Sequence, residues 1–233
     1  VFVVDKNGFR AMRFGDLSGV DQSRIRPGHP EQLPMPYLRS AAVGLAVPRK
    51  LERLLMIGLG GGAFPSFVQA RLPEVYVDAV EIDPVVARVA KEYFGLNETE
   101  KLRVHVVDAV AFVKQRRTPY DYIFLDAYDA DALPMPLTTH SFFRDIRANL
   151  APGGVVVVNI AMRSDFRTRR LIDKLSGYYD YCLQMRSSPS VNDVLLLSDT
   201  PIPAREELKV WAEGFGGTGV GMREHIDSAR DCA

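Results

Sequence analysis

Four carboxylates and one glycine-rich loop carry the chemistry legible in this chain. Glu81, Asp108 and Asp126 each follow a short apolar run, and Asp129 stands three residues beyond Asp126. Ahead of them lies Gly58-Leu-Gly-Gly-Gly-Ala63. Glycines permit positive φ and let a ligand approach the backbone closely. A helix opening after such a loop offers free N–H groups to an anion. A carboxylate at Glu81 can accept both hydroxyls of a ribose, and one at Asp108 can accept the exocyclic amine of adenine. Asp126 and Asp129 can hold a protonated amine and take its proton. Each position also has a plainer use. Asp83 is expected to cap the helix opening at Pro84, and Asp108 can cap the helix after it. Asp126, Asp129 and Asp131 can equally serve loop geometry in a solvated turn.

The elements that would position these groups alternate between strand and helix. Apolar strands are expected at 53–57, 75–80, 102–107, 120–125 and 153–159, with helices at 67–72, 84–94, 109–116 and 139–150 between them. Strands that are apolar along their whole length belong to a parallel sheet covered on both faces. A helix near 166–178 and a closing hairpin near 180–186 and 191–197 complete a seven-stranded, mainly parallel α/β sheet. In such sheets the ligand lies beyond the carboxyl ends of the strands, where the strand order reverses. The four pointed strand ends therefore favour one shared site. Before the alternation, Asn7-Gly8 between alternating apolar residues predicts an N-terminal β-hairpin. A loop over 15–36 and a helix over 37–47 follow it. Two parts are expected: the hairpin and loop, 1–36, and a nucleotide-binding domain, 37–233. The five glycines between 214 and 221 point to a mobile or capping stretch.

Composition narrows the function classes. The chain has 233 residues, 47% hydrophobic and 25% charged, which suits one well-buried α/β domain. Lys plus Arg equals Asp plus Glu at 29 each, so a dedicated nucleic-acid binder is disfavoured. The cluster Arg163, Arg167, Arg169 and Arg170 is expected to be a solvated helix face. Cys182 and Cys232 form no zinc spacing, so no metal is expected. Cys182 is expected to be a buried small hydrophobe, nothing requires a disulfide, and the chain is assigned to a reducing cytoplasm. No apolar run approaches a membrane span and no signal peptide is visible. The chain opens at Val1, and a preceding segment carrying a targeting signal is compatible with that start.

Taken in order, Ile-Gly-Leu-Gly-Gly-Gly (57–62), Val-Glu-Ile-Asp (80–83), Val-Asp-Ala (107–109), Tyr-Asp-Tyr-Ile-Phe-Leu-Asp-Ala-Tyr-Asp (120–129) and Leu-Ala-Pro-Gly-Gly (150–154) resemble the spermidine synthase (polyamine aminopropyltransferase) superfamily. The resemblance is good over residues 50–160 and weak over the N-terminal hairpin, Gln22 and Tyr37. The chain is also similar to the spermidine-synthase-like C-terminal domain of a eukaryotic elongation-factor methyltransferase, at 58–62, 65–68 and 80–84. The resemblance implies the Rossmann-like, doubly wound class I methyltransferase fold. It implies S-adenosylmethionine or its decarboxylated form as cofactor, held by Gly58, Gly60, Gly62, Glu81, Asp108 and Ala109, with Asp126 reaching it too. It makes Asp126 the catalytic aspartate and Asp129 the acid that holds the acceptor amine, and puts Gln22 and Tyr37 on the acceptor side; Tyr128, in the loop expected to build the acceptor pocket, is an aromatic candidate of its own. Phe64 and Phe166 are further aromatic candidates, with core packing the expected role for Phe166. Two positions depart from the aminopropyltransferase pattern. The aspartate of Gly-Gly-Gly-Asp-Gly is Gly61 here, and the histidine after the acceptor-side tyrosine is Leu38. Losing an acid beside the cofactor tail removes repulsion toward a donor that keeps its carboxylate.

The first expectation is thus methyl transfer from S-adenosylmethionine to an amine, on a small molecule or a protein terminus, with a homodimer possible in this family. Aminopropyl transfer to a polyamine is the second. A nicotinamide-dependent oxidoreductase is the third, since Gly58, Gly60, Ala63 and Glu81 also satisfy the dinucleotide fingerprint. It lacks a hydride-transfer partner set, because His105 and His140 are expected to be structural. A catalytically silent nucleoside-binding sheet is the fourth.

Overall fold

The computed structural model describes residues 1–115, 118–128, 133–161, 166–187, 192–215 and 221–232. Asp129, Asp131, Arg163 and most of the glycine-rich stretch after 215 lie outside the described residues.

The chain opens with β1 (Phe2–Lys6) and β2 (Phe9–Arg13), paired antiparallel. Asn7 at φ 54° and Gly8 at φ 77° both adopt the left-handed conformation of a twist-matched two-residue turn. A third strand, β3 (Asp21–Ile25), pairs with β2 inside the segment expected to be loop. Its Asp-Gln-Ser-Arg-Ile sequence has one apolar residue, so periodicity could not reveal it. Asp21 accepts from Arg13 at 2.7 Å and also binds Arg24, which anchors the strand. Next come α1 (Pro36–Val43) and a single 3₁₀ turn, Gly44–Ala46. Pro36 at the first turn of α1 supplies a preset φ and needs no donor there.

The main sheet then builds in strand–helix units: β4 (Arg53–Ile57), α2 (Ala63–Arg71), β5 (Tyr76–Glu81), α3 (Pro84–Tyr93), β6 (Leu102–Val106), α4 (Ala109–Lys114), β7 (Tyr120–Leu125), α5 (His140–Ala148) and β8 (Leu150–Ala161). Helix α6 (Phe166–Ser176) leads to the hairpin β9 (Tyr181–Ser187) and β10 (Asn192–Ser198). The spatial order is β11-β9-β10-β8-β7-β4-β5-β6, and all pairs from β8 to β6 are parallel. The order reverses between β4 and β7, which sets the ligand crevice at their carboxyl ends.

Strand alternation divides the interior into two layers. Leu54, Met56, Tyr122, Phe124, Val155 and Val157 pack under α1, α2 and α3. Leu55, Ile57, Ile123, Leu125, Val156 and Val158 pack under α4, α5 and α6. A small third cluster joins Met12 of the N-terminal sheet to Val86, Val89 and Phe94 of the α3 region.

Two helices lie beyond the elements expected, α7 (Arg205–Phe215) and α8 (Arg223–Asp227). The short β11 (Arg230–Asp231) then adds an eighth strand antiparallel to β9. This last pairing corrects the cysteine expectation. It brings Cys232 beside Cys182, and the two form a disulfide with their Cα atoms 5.4 Å apart across 50 residues of chain. A strand two residues long leaves no periodic signal, so the pairing was invisible locally. The assignment to a reducing cytoplasm rested on unpaired thiols and loses that ground. Among the described residues, no helix is long and apolar enough to cross a membrane.

Candidate active site

The parallel ladders stay closed to their last residue, and this lines up the strand ends. Ile57 is level with Val80 on one side and Leu125 on the other, while Glu81 is level with Val106. The amides of Gly58, Asp126 and Val107 then donate to the carbonyls of Val80, Ile57 and Glu81 at 2.8, 2.8 and 2.9 Å. Gly58, Glu81, Asp108 and Asp126 consequently stand along one rim of the sheet.

The glycine loop is dictated by packing. Gly58 has φ 89°, and a Cβ on it would sit 2.2 Å from the carbonyl oxygen of Asp126. Gly60 and Gly62 are also left-handed, at φ 53° and 73°. Helix α2 starts after Gly62 without a side-chain cap, leaving its first amides turned to the rim. Ser23 of β3 covers this loop, and a Cβ on Gly61 would lie 2.9 Å from its Oγ and 2.6 Å from the Phe94 ring. A side chain at that position would require Phe94 and Ser23 to shift.

Glu81 is only 9% exposed. Its Oε2 accepts from the amide of Leu59 and its Oε1 from the amide of Asp83, both at 3.0 Å. A carboxylate has about four acceptor positions, so the side chain is fixed in place and retains capacity for two hydroxyls. Asp83 caps α3 as expected, accepting from Val85 at 2.7 Å. Asp108 caps α4, its Oδ1 accepting from Val110 at 2.8 Å, and its side chain stands exposed at the rim. Ala109 follows as the first residue of α4 and is buried.

Asp126 is the centre of a polar network in an apolar setting. Its Oδ2 accepts from Tyr37 Oη at 3.1 Å, and its Oδ1 accepts from Asn159 Nδ2 at 2.7 Å. Asn159 Oδ1 in turn accepts from Asn192 Nδ2 at 2.9 Å. Tyr128 donates to the carbonyl of Asn159 and accepts from the amide of Ala161 at 2.6 Å. Burial pushes the Asp126 carboxyl up to about 7, against the downward pull of the Asn159 and Tyr37 hydrogen bonds. Burial and the neighbouring Asp126 charge drive the Tyr37 hydroxyl well above the ordinary tyrosine value, so it stays a neutral donor.

Of the other expected residues, Tyr37 reaches the rim from α1 and Tyr128 from the segment after β7. Gln22 is on β3 beside Ser23, so alternation turns it to the face opposite the glycine loop. Two aromatics change roles. Phe64 is fully buried against Phe124, with ring centres 4.9 Å apart, and cannot line a pocket. Phe166, expected in the core, is 73% exposed with Arg170 stacked on its ring. His105 is structural, bonded to Asp78 at 2.7 Å, and His140 packs on Tyr178 at the start of α5.

Sequence reasoning missed Asn159, Asn192 and Ile82. Asn159 is the one polar residue in an otherwise apolar strand centre, and that contrast was its signal. Asn192 carried no signal of its own. Ile82 is 69% exposed between two ordered acids and offers an apolar surface at the rim. Among the described residues, no group of three His, Cys, Asp or Glu side chains is placed to hold a metal ion.

Similarity to known proteins agrees with this fold. Residues 41–174 match the spermine/spermidine synthase domain family. The polyamine aminopropyltransferase of Vibrio vulnificus strain CMCP6 is 32% identical over 228 residues, covering 92% of this chain and 74% of that protein. The human eEF1A lysine and N-terminal methyltransferase is 28% identical over 75% of this chain, which spans 30% of that protein's length. The crystal structure of human methyltransferase-like protein 13 in complex with SAH superposes with a TM-score of 0.70 at 27% identity, covering 77% of this chain and 90% of that one. With a family match over residues 41–174 and a 32% identical relative covered to 74% of its length, the chain belongs to the spermine/spermidine synthase domain family.

Proposed function

We propose that the protein is a transferase that moves an alkyl group, in the first reading a methyl, from S-adenosylmethionine to an amine held at Asp126. The observation that carries this reading is a carboxylate fixed between Tyr37 and Asn159 at the strand-order reversal, one strand from the glycine loop. When bound, the cofactor supplies a sulfonium-activated carbon, so the protein need only present an aligned, deprotonated nucleophile.

The residues present fit an adenosine. Glu81 keeps acceptor capacity for the ribose hydroxyls, Ile82 offers a flat apolar contact for the base, and Asp108 stands at the rim to accept its amine. Gly58, Gly60 and Gly62 keep the backbone bare beside the tail. Asp126 accepts the amine's proton on the oxygen lone pairs that Tyr37 and Asn159 leave unused. A basic group near 7 can both hold an ammonium and accept its proton at neutral pH. Orientation of this kind can contribute about 7–11 kcal/mol to lowering a barrier. Asp129 is assigned the second contact to the amine on the strength of the family pattern. The acceptor is a small amine or an amine on a protein.

Aminopropyl transfer from decarboxylated S-adenosylmethionine remains the second reading, favoured by the 32% identity to a polyamine aminopropyltransferase. Gly61 supports the first instead. This position lacks the aspartate that grips the decarboxylated cofactor's amine in that pattern, and Phe94 and Ser23 pack into the space such a side chain would take. Calorimetric titration with each cofactor form decides between them. Tighter binding of the carboxylated form supports methyl transfer, and the reverse order overturns it. Unchanged turnover in an Asp126→Asn protein that still binds cofactor would remove Asp126 from the mechanism.

A further inference from the structure

A chain of two amides leads away from Asp126, with Asn192 donating to Asn159 and Asn159 donating to the carboxylate, the polarity an ionised Asp126 requires. Asn159 lies on β8 and Asn192 on the neighbouring antiparallel β10, where Val194 is level with Asn159 and Asn192 with Ala161. The Asn192 amide nitrogen donates to Asn159 Oδ1 at 2.9 Å. That contact leaves Asn159 only its Nδ2 to offer Asp126, and the distance there is 2.7 Å. The main chain of Asn159 is held as well, its carbonyl accepting from Tyr128. A primary amide otherwise has two nearly isosteric orientations. Flipped, Asn159 would turn an acceptor lone pair on the Asp126 carboxylate.

We infer that Asn192 is a positioning residue: by donating to Asn159 Oδ1 it locks the Asn159 amide so that its N–H, and not its carbonyl, meets the Asp126 carboxylate. This rests on the transferase reading for its consequence, although the lock itself is a property of the hydrogen bonds. Donors then grip both Asp126 oxygens, Asn159 on one and Tyr37 on the other, which leaves the remaining lone pairs aimed at the amine. The titratable groups facing Asp126 are Tyr37 from α1, Tyr122 from β7 itself and Tyr128 from the segment after it. All three are pushed upward by burial and stay neutral, so the amide dipole is the variable that sets the local field among the described residues.

The test is Asn192→Asp, which keeps size and replaces the donor by an acceptor. The Asn159 amide should flip to donate to the new carboxylate and present its carbonyl to Asp126. The Asp126 titration, followed by carboxyl ¹³C NMR and assigned with Asp126→Asn, should move up by about one pH unit. With cofactor and an amine acceptor, kcat at pH 7 should fall about fivefold with the KM for cofactor unchanged, and the acid limb of the pH profile should move with the NMR midpoint. Asn192→Ser, uncharged and too short to bridge, should give a smaller rise from the released Asn159 amide alone; a rise in Asn192→Asp with none in Asn192→Ser assigns the shift to the new charge and overturns the lock. An unmoved Asp126 midpoint in a folded variant overturns the lock. A moved midpoint in a protein that transfers no alkyl group from either cofactor form keeps the lock and overturns the transferase reading.

Discussion

Replacing Asp126 by asparagine should stabilise the protein in mild alkali while removing the base from its site. In the folded chain this carboxyl is pushed from 3.8 up to about 7, chiefly by burial. The folded state therefore holds a proton that the unfolded chain has released over that interval. Stability from this group is fully present below pH 3.8 and is lost as pH rises to about 7. Every pH unit between those two values is worth about 1.4 kcal/mol, so the whole loss approaches about 4 kcal/mol. Asp126 is only part-buried, and partial solvation brings the change between pH 5 and 8 to about 2 kcal/mol. Asparagine keeps the shape, accepts from Asn159 on its oxygen and donates to Tyr37 Oη from its nitrogen, and does not titrate. The assay is urea unfolding of both proteins at pH 5, 6, 7 and 8. The difference should grow in favour of the variant, by about 2 kcal/mol from end to end, equivalent to about 4–8 °C in Tm. Every other titrating group contributes equally to both proteins and cancels. A difference constant across the series would refute the raised Asp126 value and, with it, the idea that burial prepares this carboxylate to take a proton.

Gly58→Ala should cost about 2–4 kcal/mol in urea unfolding, because the left-handed φ and the approach of Asp126's carbonyl both oppose a side chain. Glu81→Gln removes the charge that would receive ribose hydroxyls and should weaken cofactor binding about 10- to 100-fold by calorimetry; it also leaves the Leu59 or the Asp83 amide without its acceptor and should cost about 1–3 kcal/mol in urea unfolding. Cys232→Ser opens a link across 50 residues and should lower stability by about 4 kcal/mol in the loop-closure account, read as a lower midpoint in denaturant. If the two midpoints coincide, the C-terminal strand contributes no constraint on the unfolded chain.

The main sheet was legible because each of its central strands is buried on both faces. Burial on both faces demands an unbroken apolar run, and such runs are visible without knowing what covers them. The N-terminal hairpin was legible for a local reason, the Asn-Gly turn. Helix α7 was legible in principle, since Leu208, Trp211, Ala212 and Phe215 follow a helical spacing that went unread. Strand β3, helix α8 and β11 were not legible, because their partners lie far away in sequence and their own residues are polar, mixed or too few to show a period. The exchanged roles of Phe64 and Phe166 have the same origin. Composition says that a phenylalanine seeks cover, but only the packed fold decides which one finds it.

What the sequence determined by itself was the order of chemistry-bearing residues at the ends of apolar runs: Gly58 to Gly62, Glu81, Asp108 and Asp126. Parallel strands with closed ladders must bring such residues to one rim, so their convergence follows from pattern alone. What only the tertiary structure decided was the state of those residues. The raised Asp126 carboxyl depends on burial among Tyr37, Tyr122 and Tyr128. The amide pair Asn159–Asn192 depends on the register of β8 against β10, and the crowding at Gly61 depends on Ser23 and Phe94. Desolvation, hydrogen-bond polarity and free volume are properties of neighbours in space, and those neighbours come from segments that the chain alone does not place side by side.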